Sequence, residues 1–435
     1  MSWPNFKLGE LCKIEKGITG IQKAKPGKYP MVVTGEERKT HDEYQFDDEA
    51  VIIPLVSSTG HGHKSLKRIH YQTGKFALGS ILCAVIPNNK QLLNAEYLYR
   101  YLDLNKENEL VSRMRGMANV TLPIKEIADI DIPIPPLNEQ LLFIKKYKAT
   151  EANSENLTIE FTYQQDLLAQ LRQSFLREAM QGKLVRQDPK DGNAKEVLKK
   201  IKVEKEKLIA EKRIKKGKLQ AAEILDELLF EIPANWEWSN LDDICWNITD
   251  GTHQTPVYTS TGRIFLSAQN VKPFKFMPED HKLVSEEAYK EYIKNRKAEL
   301  GDLLVARVGA GIGETAVIDK EIDFSFYVSI GLIQPFKQFI NSNYLAYVLN
   351  SPYGVRYAKG NISSKGGSAG NFNLGRIRSF MIPLPPIKEQ NRIVKKLDEL
   401  MKLCDRLLES IKASREQNEL LLLQVLKETL ENNNL

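Results

Sequence analysis

A glycine-rich segment is the first part of the sequence whose residues could do chemistry. GAGIG at 309–313 follows the strand-like run at 303–306 and imitates the glycine fingerprint of a nucleotide or S-adenosylmethionine site. In such a site the glycines open a helix whose N-terminus receives the ligand. Here residues 315–318 return to extended character, and no strand–helix–strand unit follows. We therefore predict a tight turn between two strands and no cofactor site.

Two histidines in SSTGHGHK at 57–64 have a spacing that could suit a metal ion. No cysteine or carboxylate cluster accompanies them, so we predict no metal site. Small hydroxyl residues and bare backbone can approach DNA closely, which suits contacts to phosphates and base edges better than a metal site, and a purely structural turn is the alternative interpretation. The candidate DNA contacts in this stretch are Ser57, Ser58, Thr59, His61, His63 and Lys64.

Two proline pairs invite comparison with the motif of adenine methyltransferases, in which an Asp or Asn before the prolines accepts a hydrogen bond from the reacting amino group. In PIPPL at 133–137 and PLPPI at 383–387 that position holds Ile134 or Leu384. Neither side chain can accept a hydrogen bond, and no aromatic residue follows. We therefore expect no methyl transfer by this chain.

The same proline pairs belong to a long internal repeat. IPIPPLNEQ at 132–140 returns as IPLPPIKEQ at 382–390, and the offset of 250 positions continues without a gap as far as Glu178 and Glu428. One insertion in a helix would rotate every later side chain by about 100°. The gapless register therefore indicates a duplicated helix.

A second repeated landmark lies upstream, where LGELC at 8–12 resembles LDDIC at 241–245. The modules between the landmarks share little sequence, which is the pattern expected when a common scaffold carries two readers of different targets. Each module is mixed in character, with turn-bounded strand-like runs. The clearest of these runs lie at 50–53, 81–85 and 303–306.

After each proline pair the sequence becomes helical, because a proline close to a helix start lacks only an N–H that would be unpaired anyway. A helix over 137–182, ending at Gly182, would be about 69 Å long. In the second copy, at 387–430, apolar residues alternate three and four apart, as in a coiled-coil seam. Such a helix needs a partner, and a pseudo-two-fold relation between the halves would make the pair antiparallel. The seam residues are Val394, Leu397, Met401, Cys404, Leu408 and Ile411.

Composition limits the classes of protein to which the chain can belong. A formal charge of +6 permits a polyanionic partner without requiring one. No apolar run approaches the roughly 20 residues of a membrane span, and MSWPNFKLGE lacks the features of a signal peptide, so we expect a cytosolic protein without a membrane partner. Residues 195–218 carry eleven Lys or Arg and four Glu. They could form a phosphate-contacting arm, but we favour a solvated, partly helical linker. The scattered cysteines are expected to be reduced and mostly buried: Cys12, Cys83, Cys245 and Cys404.

Further candidate contacts lie late in each module and at one turn of the second module. Polar stretches occupy 112–121 and 361–373, where surface loops are the alternative interpretation. The turn residues after Asp250 either shape the turn or contact DNA, and Arg307 could fork onto guanine or pair with a carboxylate. The candidates are Arg113, Arg115, Asn119, Thr252, His253, Gln254, Arg307, Ser363, Ser364, Lys365 and Asn371.

The duplicated Pro-Pro-x-x-Glu-Gln motif does not stand alone. Together with LRQSFLREAMQGKLV at 171–185, W-x-W at 236–238, DGTHQTP at 250–256 and GDLLVARVGAGIGETAV at 301–317, it resembles the specificity subunits of type I restriction–modification enzymes. The similarity covers nearly the entire chain. It implies two target-recognition domains, each reading half of a split double-stranded DNA target, with the paired helices as a ruler between them.

The resemblance also implies partners and a division of labour. In that family two methyltransferase subunits dock on the helices and methylate adenine at N6 with S-adenosylmethionine. Separate restriction subunits use ATP and Mg²⁺ to translocate and cut unmethylated DNA. This chain would be non-catalytic, would bind no cofactor or metal itself, and would act in host defence in a prokaryotic cytoplasm.

We therefore predict an α+β fold in which two mixed α/β target-recognition domains are separated by two long helices packed as an antiparallel coiled coil. The predicted divisions are recognition domains at 1–136 and 232–386, spacer helices at 137–182 and 387–430, a basic connecting segment at 183–231 and a tail at 431–435.

Two other functions stay open at this point. One is a single-chain restriction or modification enzyme fused to such readers, which is disfavoured because the reader and ruler elements already account for almost every residue. The other is a coiled-coil adaptor that binds only proteins, which the modest net charge favours.

Overall fold

The structure, a computed structural model, describes residues 3–59, 62–214, 230–294, 296–362 and 370–431. The chain forms two compact units, Met1–Tyr163 with Ile411–Leu435, and Gln164–Ser410. The division between them falls inside both long helices. The predicted division into recognition domains, helices and linker therefore stays a prediction.

The first unit contains the first module and one part of each long helix. Its elements are β1 (Asn5–Lys7), α1 (Leu8–Leu11), β2 (Cys12–Lys16), β3 (Tyr29–Val32), β4 (Lys39–His41), β5 (Phe46–Asp47), β6 (Ala50–Pro54), β7 (His70–Gln72), β8 (Lys75–Leu78), β9 (Leu82–Pro87), α2 (Ala95–Leu104), α3 (Ile124–Ala128), β10 (Asp131–Pro133) and the first part of α4 (Leu137–Met180).

Two four-stranded sheets form the body of the first module, with strand orders β2-β9-β6-β7 and β4-β3-β8-β5. The strands β6 and β9 are buried along their whole length, which explains their continuous apolar runs. The pair β1–β10 brings the two ends of the module together just before α4. Apolar residues of β2, β6, β9, α2 and the first turns of α4 share one core.

The second unit repeats this plan. Its elements are the rest of α4, α5 (Ala194–Ala210), β11 (Glu237–Asn240), β12 (Cys245–Asp250), β13 (Arg263–Leu266), β14 (Val271–Lys272), β15 (Lys275–Phe276), β16 (Lys282–Val284), α6 (Glu286–Ile293), β17 (Leu303–Ala306), β18 (Thr315–Val317), β19 (Phe324–Phe326), β20 (Ile330–Pro335), α7 (Ser342–Leu349), α8 (Pro352–Gly360), α9 (Leu374–Arg378), β21 (Met381–Leu384) and the first part of α10 (Ile387–Glu431).

The sheet β12-β20-β17-β18 has the same connectivity as β2-β9-β6-β7 in the first module. The parallel pair β13–β19 likewise corresponds to β3–β8. The terminal pair β11–β21 corresponds to β1–β10. The modules therefore share one fold although they share little sequence, as the internal repeat predicts.

The two long helices pack on each other within each unit. In the second unit Arg172 Nη2 of α4 donates to Asp405 Oδ1 of α10 at 2.6 Å, and in the segment that follows α4 Gln187 Nε2 donates to Glu389 Oε1 in the first turn of α10 at 2.5 Å. As the residue number increases along α4 and the segment after it, the residue number of the contact on α10 decreases, so the pairing is antiparallel. In the first unit Asn418 Nδ2 donates to Ser154 Oγ at 3.0 Å. The predicted fold class is confirmed, and the predicted seam is buried at Val394, Leu397 and Cys404.

A buried glutamine attaches the start of each long helix to its module. Gln390 Nε2 donates to Pro385 O at 2.9 Å, and its Oε1 accepts from Asn341 N at 2.9 Å, directly before α7. Gln140 makes the same contacts with Pro135 O and Asn94 N, each at 2.8 Å. Both glutamines are fully buried. We call this arrangement the glutamine clamp.

The clamp explains the wider repeat around the prolines. Asn94 and Asn341 also cap α2 and α7 through their side chains. Tyr97 donates from its hydroxyl to Pro133 O, and Tyr344 donates to Pro383 O. The repeated tyrosines and the repeated proline segments are therefore parts of one attachment.

The connecting segment differs from the predicted solvated linker. A helix, α5, does form there, but Ile201 is fully buried and Val197, Leu198 and Leu208 pack against the core of the second unit. Lys205 also forms an ion pair with Asp242 at 3.1 Å. The high lysine content concealed an apolar stripe at helical spacing.

Several smaller predictions can be compared directly with the structure. The segment at 309–313 is a turn between the antiparallel strands β17 and β18, as predicted. The four cysteines are free and buried. Gly182 adopts a φ of +67° just after α4 ends at Met180, two residues before the predicted helix end. Within the described ranges, no helix is long and apolar enough to cross a membrane.

We expect Gln390→Leu to lower the free energy of unfolding of the second unit by about 2–4 kcal/mol, because it leaves a buried N–H and a buried carbonyl without partners. Urea unfolding followed by tryptophan fluorescence measures the change, because three of the four tryptophans (Trp236, Trp238 and Trp246) lie in this unit. Gln173→Leu, at an exposed position on α4, is the matched control. Equal losses in the two variants would contradict the clamp.

Candidate nucleic-acid interface

In the first module the structure brings two of the predicted polar stretches together. The chain leaves β6 and pairs with the end of the 112–121 stretch, where Ser57 N donates to Val120 O at 3.0 Å and Leu122 N donates to Leu55 O at 2.9 Å. Lys64 Nζ donates to Ser112 O at 3.2 Å. Residues 57–59 and 62–67 therefore lie beside the loop at 112–121 and form one largely polar surface with it.

The side chains of this surface divide into two groups. Ser57 and Ser58 use their hydroxyls inside the loop, with Ser57 Oγ donating to His63 O at 2.6 Å and Ser58 Oγ accepting from Lys67 N at 2.9 Å. Arg115 is 70% exposed and lies 2.7 Å from Glu126. Arg113 is less exposed and lies 3.5 Å from Glu109. Of the predicted contacts on this surface, the exposed ones are Ser58, Thr59, His63, Lys64, Arg115 and Asn119, and Met117 beside them is 93% exposed.

The second module repeats this junction at the equivalent place. The chain leaves β17, Val308 forms a bridge with Asn371, and Phe372 N donates to Arg307 O at 2.9 Å. Arg307 therefore occupies the position of Leu55 in the first module. The stretch that follows β17 and the end of the 361–373 stretch are neighbours, as are their counterparts in the first module.

Arg307 is buried and serves the fold. Its Nη1 donates to Asp250 Oδ2 and to Val328 O, and its Nε donates to Phe372 O at 3.0 Å. Burial lowers the pKa of the guanidinium, and the carboxylate of Asp250 opposes that shift. Of the two roles that the sequence allowed for Arg307, pairing with a carboxylate is the one seen here.

The turn after Asp250 is held rigidly and presents two polar side chains to solvent. Thr252 is buried, its N donates to Phe326 O at 3.0 Å, and its O accepts from Val328 N at 3.0 Å. Thr252 Oγ1 also accepts from Gln254 N at 3.2 Å. Thr252 therefore shapes the turn. His253 and Gln254 are exposed, and His253 Nε2 lies 3.3 Å from Asp250 Oδ2.

This turn forms one side of an open cleft of about 620 Å³. Lys290 and Lys294 of the α6 region and Arg296 beyond it line the cleft as well, together with Glu291 and Tyr292. We call this feature the basic cleft. The sequence analysis did not single out its three cations, because nothing in their spacing separates them from the many exposed lysines elsewhere.

Four predicted contacts lie outside the described residues. They are His61 of the first module and Ser363, Ser364 and Lys365 of the second. Among the described residues, no group of three or more His, Cys, Asp or Glu side chains could hold a metal ion.

Comparison with known families decides where the chain belongs. The model of the family described as type I restriction modification DNA specificity domain matches residues 2–159 and 233–417, which is more than half of the chain. The chain belongs to this family. Each match contains one of the two modules, so the modules are two DNA specificity domains on one chain.

Individual relatives agree with this assignment. The specificity subunit of the type I restriction enzyme EcoEI from Escherichia coli is 28% identical over 57% of this chain and 42% of its own length. That of EcoAI is 28% identical over 60% of this chain and 44% of its own length. The chain thus spans less than half of these two relatives. The EcoDI specificity subunit is 22% identical over 93% of this chain and 82% of its own length.

Two solved structures share the fold. One chain, from a study of complex assembly and conformational transition of the type I R-M system, aligns over 98% of this chain and 97% of its own length with a TM-score of 0.64 and 16% identity. The HsdS subunit from Thermoanaerobacter tengcongensis aligns over 98% of this chain and 96% of its own length with a TM-score of 0.55 and 17% identity.

Comparing the two specificity domains reveals a turn that the sequence analysis missed. Gly17 N donates to Leu82 O as Gly251 N donates to Ile330 O, and Thr19 N donates to Leu78 O as Thr252 N donates to Phe326 O. A Cβ at Gly17 or Gly251 would lie within 2.3 Å of a carbonyl oxygen, so both positions require glycine. The segment at 16–21 is therefore the counterpart of the turn after Asp250.

Two local irregularities hid this relation. The register of β12 shifts between Cys245 and Asn247, so Trp246 is an extra residue in a bulge. The first domain carries its own extra residue, the 76% exposed Ile18, between Gly17 and Thr19. The two extra residues offset each other, so Thr19 and Thr252 are again 233 positions apart. Gly17 and Gly251 are 234 positions apart, because Trp246 precedes Gly251 and Ile18 follows Gly17.

We expect Arg307→Met to destabilise the second domain by about 3–5 kcal/mol, because it leaves the carboxylate of Asp250 buried without its main partner. A loss of that size lowers the thermal midpoint by roughly 6–20 °C, which calorimetry resolves. Adding Asp250→Asn should restore part of the loss.

The exposed Arg356 on α8 provides the control for the Arg307 variant. Arg356→Met should leave the midpoint within about 2 °C of the wild type, since surface substitutions usually change stability by less than 0.5 kcal/mol. If the two variants had the same thermal midpoint, the buried ion pair would not have the structural role assigned to it.

Proposed function

We propose that this chain is the non-catalytic DNA-recognition subunit of a type I restriction–modification enzyme, and that its two specificity domains read the two halves of a split target. The observation that carries the proposal is the double match to the DNA specificity domain at the two structurally equivalent modules. In both modules the polar stretches meet at the same place, beyond the end of β6 or β17. A duplicated reading surface on a duplicated scaffold suits a bipartite target.

We propose three classes of partner for the chain. Double-stranded DNA would bind the polar surfaces, because exposed cations and small polar residues suit phosphates and base edges. Two methyltransferase subunits, which use S-adenosylmethionine, and restriction subunits, which use ATP and Mg²⁺, would supply the chemistry. The complex would act in the cytoplasm of a prokaryotic cell.

The two alternative functions lack support. A fused enzyme needs a catalytic site, yet the glycine-rich segment that imitated a cofactor loop is a turn between antiparallel strands. A protein-only adaptor does not account for two family matches to a DNA specificity domain. The DNA-reading role is therefore the function that we propose.

Methylome sequencing of the host with and without the gene tests this function. We expect the deletion to abolish methylation at one bipartite N6-methyladenine motif, because the methyltransferase subunits would lose the protein that places them on that target. Supplying the intact gene should restore the motif, and supplying a frameshifted copy should not. An unchanged methylome in an otherwise active system would refute the role.

A binding assay on the isolated chain separates the proposal from the fused enzyme. We expect no binding of S-adenosylmethionine in titration calorimetry, because no cofactor loop is present at 309–313. An adenine methyltransferase of known affinity serves as the positive control. Stoichiometric binding by this chain would favour the fused enzyme.

A further inference from the structure

We propose that the second domain holds its half-target in the basic cleft with a division of labour. Lys290, Lys294 and Arg296 would contact backbone phosphates, and His253 and Gln254 would contact base edges. This inference rests on the proposed function and specifies it for one of the two domains.

The charge of the cleft supports the contact with phosphates. Its lining contributes three cations and one carboxylate, Glu291, whereas the chain as a whole has a formal charge of only +6. Lys290 is 70% exposed and lies 3.7 Å from Glu286, a distance at which an exposed pair is weak. Lys290 and Lys294 are four residues apart, so they lie on one face of the α6 region. Exposed cations that converge on a cleft attract a polyanion.

The opposite side of the cleft supports the contact with base edges. The glutamine amide offers one acceptor and two donors, and the imidazole offers a nitrogen donor and a nitrogen acceptor. Such groups distinguish base pairs in the major groove, where a glutamine can pair with adenine at two points. A carboxamide carries no formal charge, so Gln254 would add specificity more than general attraction.

The fold fixes the backbone of the turn that carries these two side chains. Thr252 is tied to β19 and to Val328 through its backbone on both sides, and it caps Gln254 N through its hydroxyl. Asp250 lies beside His253 and is itself held by the buried Arg307. Asp250 and Arg307 are therefore positioning residues. A turn whose backbone is already fixed loses little backbone entropy on binding.

The first domain has a different surface at the same place. Its equivalent turn presents Gly20 and Ile21 where the second domain presents His253 and Gln254, and Ile21 packs on a small apolar cluster. The polar groups of the first domain instead lie on the loops at 57–67 and 112–121. The turn after Asp250 is thus a reading element that belongs to the second domain.

Fluorescence anisotropy with a labelled 40-base-pair duplex of mixed sequence tests the phosphate contacts. The full-length variants Lys290→Ala, Lys294→Ala and Arg296→Ala should each weaken binding at every sequence tested. Each should also reduce the slope of log K against log salt concentration by about 1, since one phosphate contact is lost. Lys402→Ala, at an exposed lysine of α10 outside the cleft, should leave the slope unchanged.

Selection from a duplex pool of random sequence tests the base contacts. His253→Ala and Gln254→Ala should change the bases preferred in one half-site and leave the other half-site and the salt slope as in the wild type. Each lost contact should reduce discrimination by roughly 5- to 150-fold. Gln338→Ala, at an exposed glutamine of the same unit, should keep the wild-type preference.

The outcomes separate this inference from the function on which it rests. If the wild-type chain binds no duplex, alone or with methyltransferase subunits supplied, both fail. If the wild type binds and selects a bipartite sequence while the cleft variants behave like Lys402→Ala and Gln338→Ala, the proposed function survives and the cleft assignment is wrong. Loss of slope in the cation variants together with altered preference in the turn variants establishes the division of labour.

Discussion

A buried glutamine at the start of each long helix determines how that helix leaves its module. Gln140 and Gln390 are each fully buried, and each binds one proline carbonyl behind it and one backbone N–H at the start of a neighbouring helix. An amide that is fully hydrogen-bonded in a low-dielectric core tolerates little rotation, because any lost partner stays unpaired. Hydrogen bonds and apolar packing therefore both fix the direction in which the long helix leaves the module. The clamp thereby fixes the position of the reading surface of each module relative to the long helix that follows it.

The sequence predicts the parts of the fold that repeat. The gapless offset of 250 positions identifies α4 and α10, and the proline pairs locate their first turns, because helical periodicity and proline geometry are local properties. The glycine-rich segment at 309–313 could be assigned to a turn for the same reason. The packing of α5 was missed, since an apolar stripe of four residues is easily hidden among lysines.

The sites were only partly predictable, because they depend on contacts between distant segments. Nothing near Arg307 in the sequence shows that Asp250 will lie beside it, so its burial could not be foreseen. The turn at 16–21 was concealed because one extra residue in a bulge and one in the turn displace the aligned glycines by one position. The basic cleft escaped notice since its two sides lie about forty residues apart in the sequence and come together only when β13, β16 and α6 pack into one apolar cluster.

The hydrogen bonds of the clamp have a consequence for how this protein can change over time. Each glutamine bonds to main-chain groups: Gln140 to the carbonyls of Pro135 and Leu92 and the amide of Asn94, and Gln390 to the carbonyls of Pro385 and Phe339 and the amide of Asn341. Main-chain groups are supplied by any residue other than proline on the donor side, so the bonds of the glutamine depend on backbone position, whereas the attachment needs specific side chains at the capping Asn94 or Asn341 and at Tyr97 or Tyr344. A module could thus accumulate substitutions on its reading loops, or be exchanged for another of the same fold, while the joint to the helix stays intact. The residues that join the modules to the helices can therefore evolve separately from the residues that determine which DNA sequence is bound.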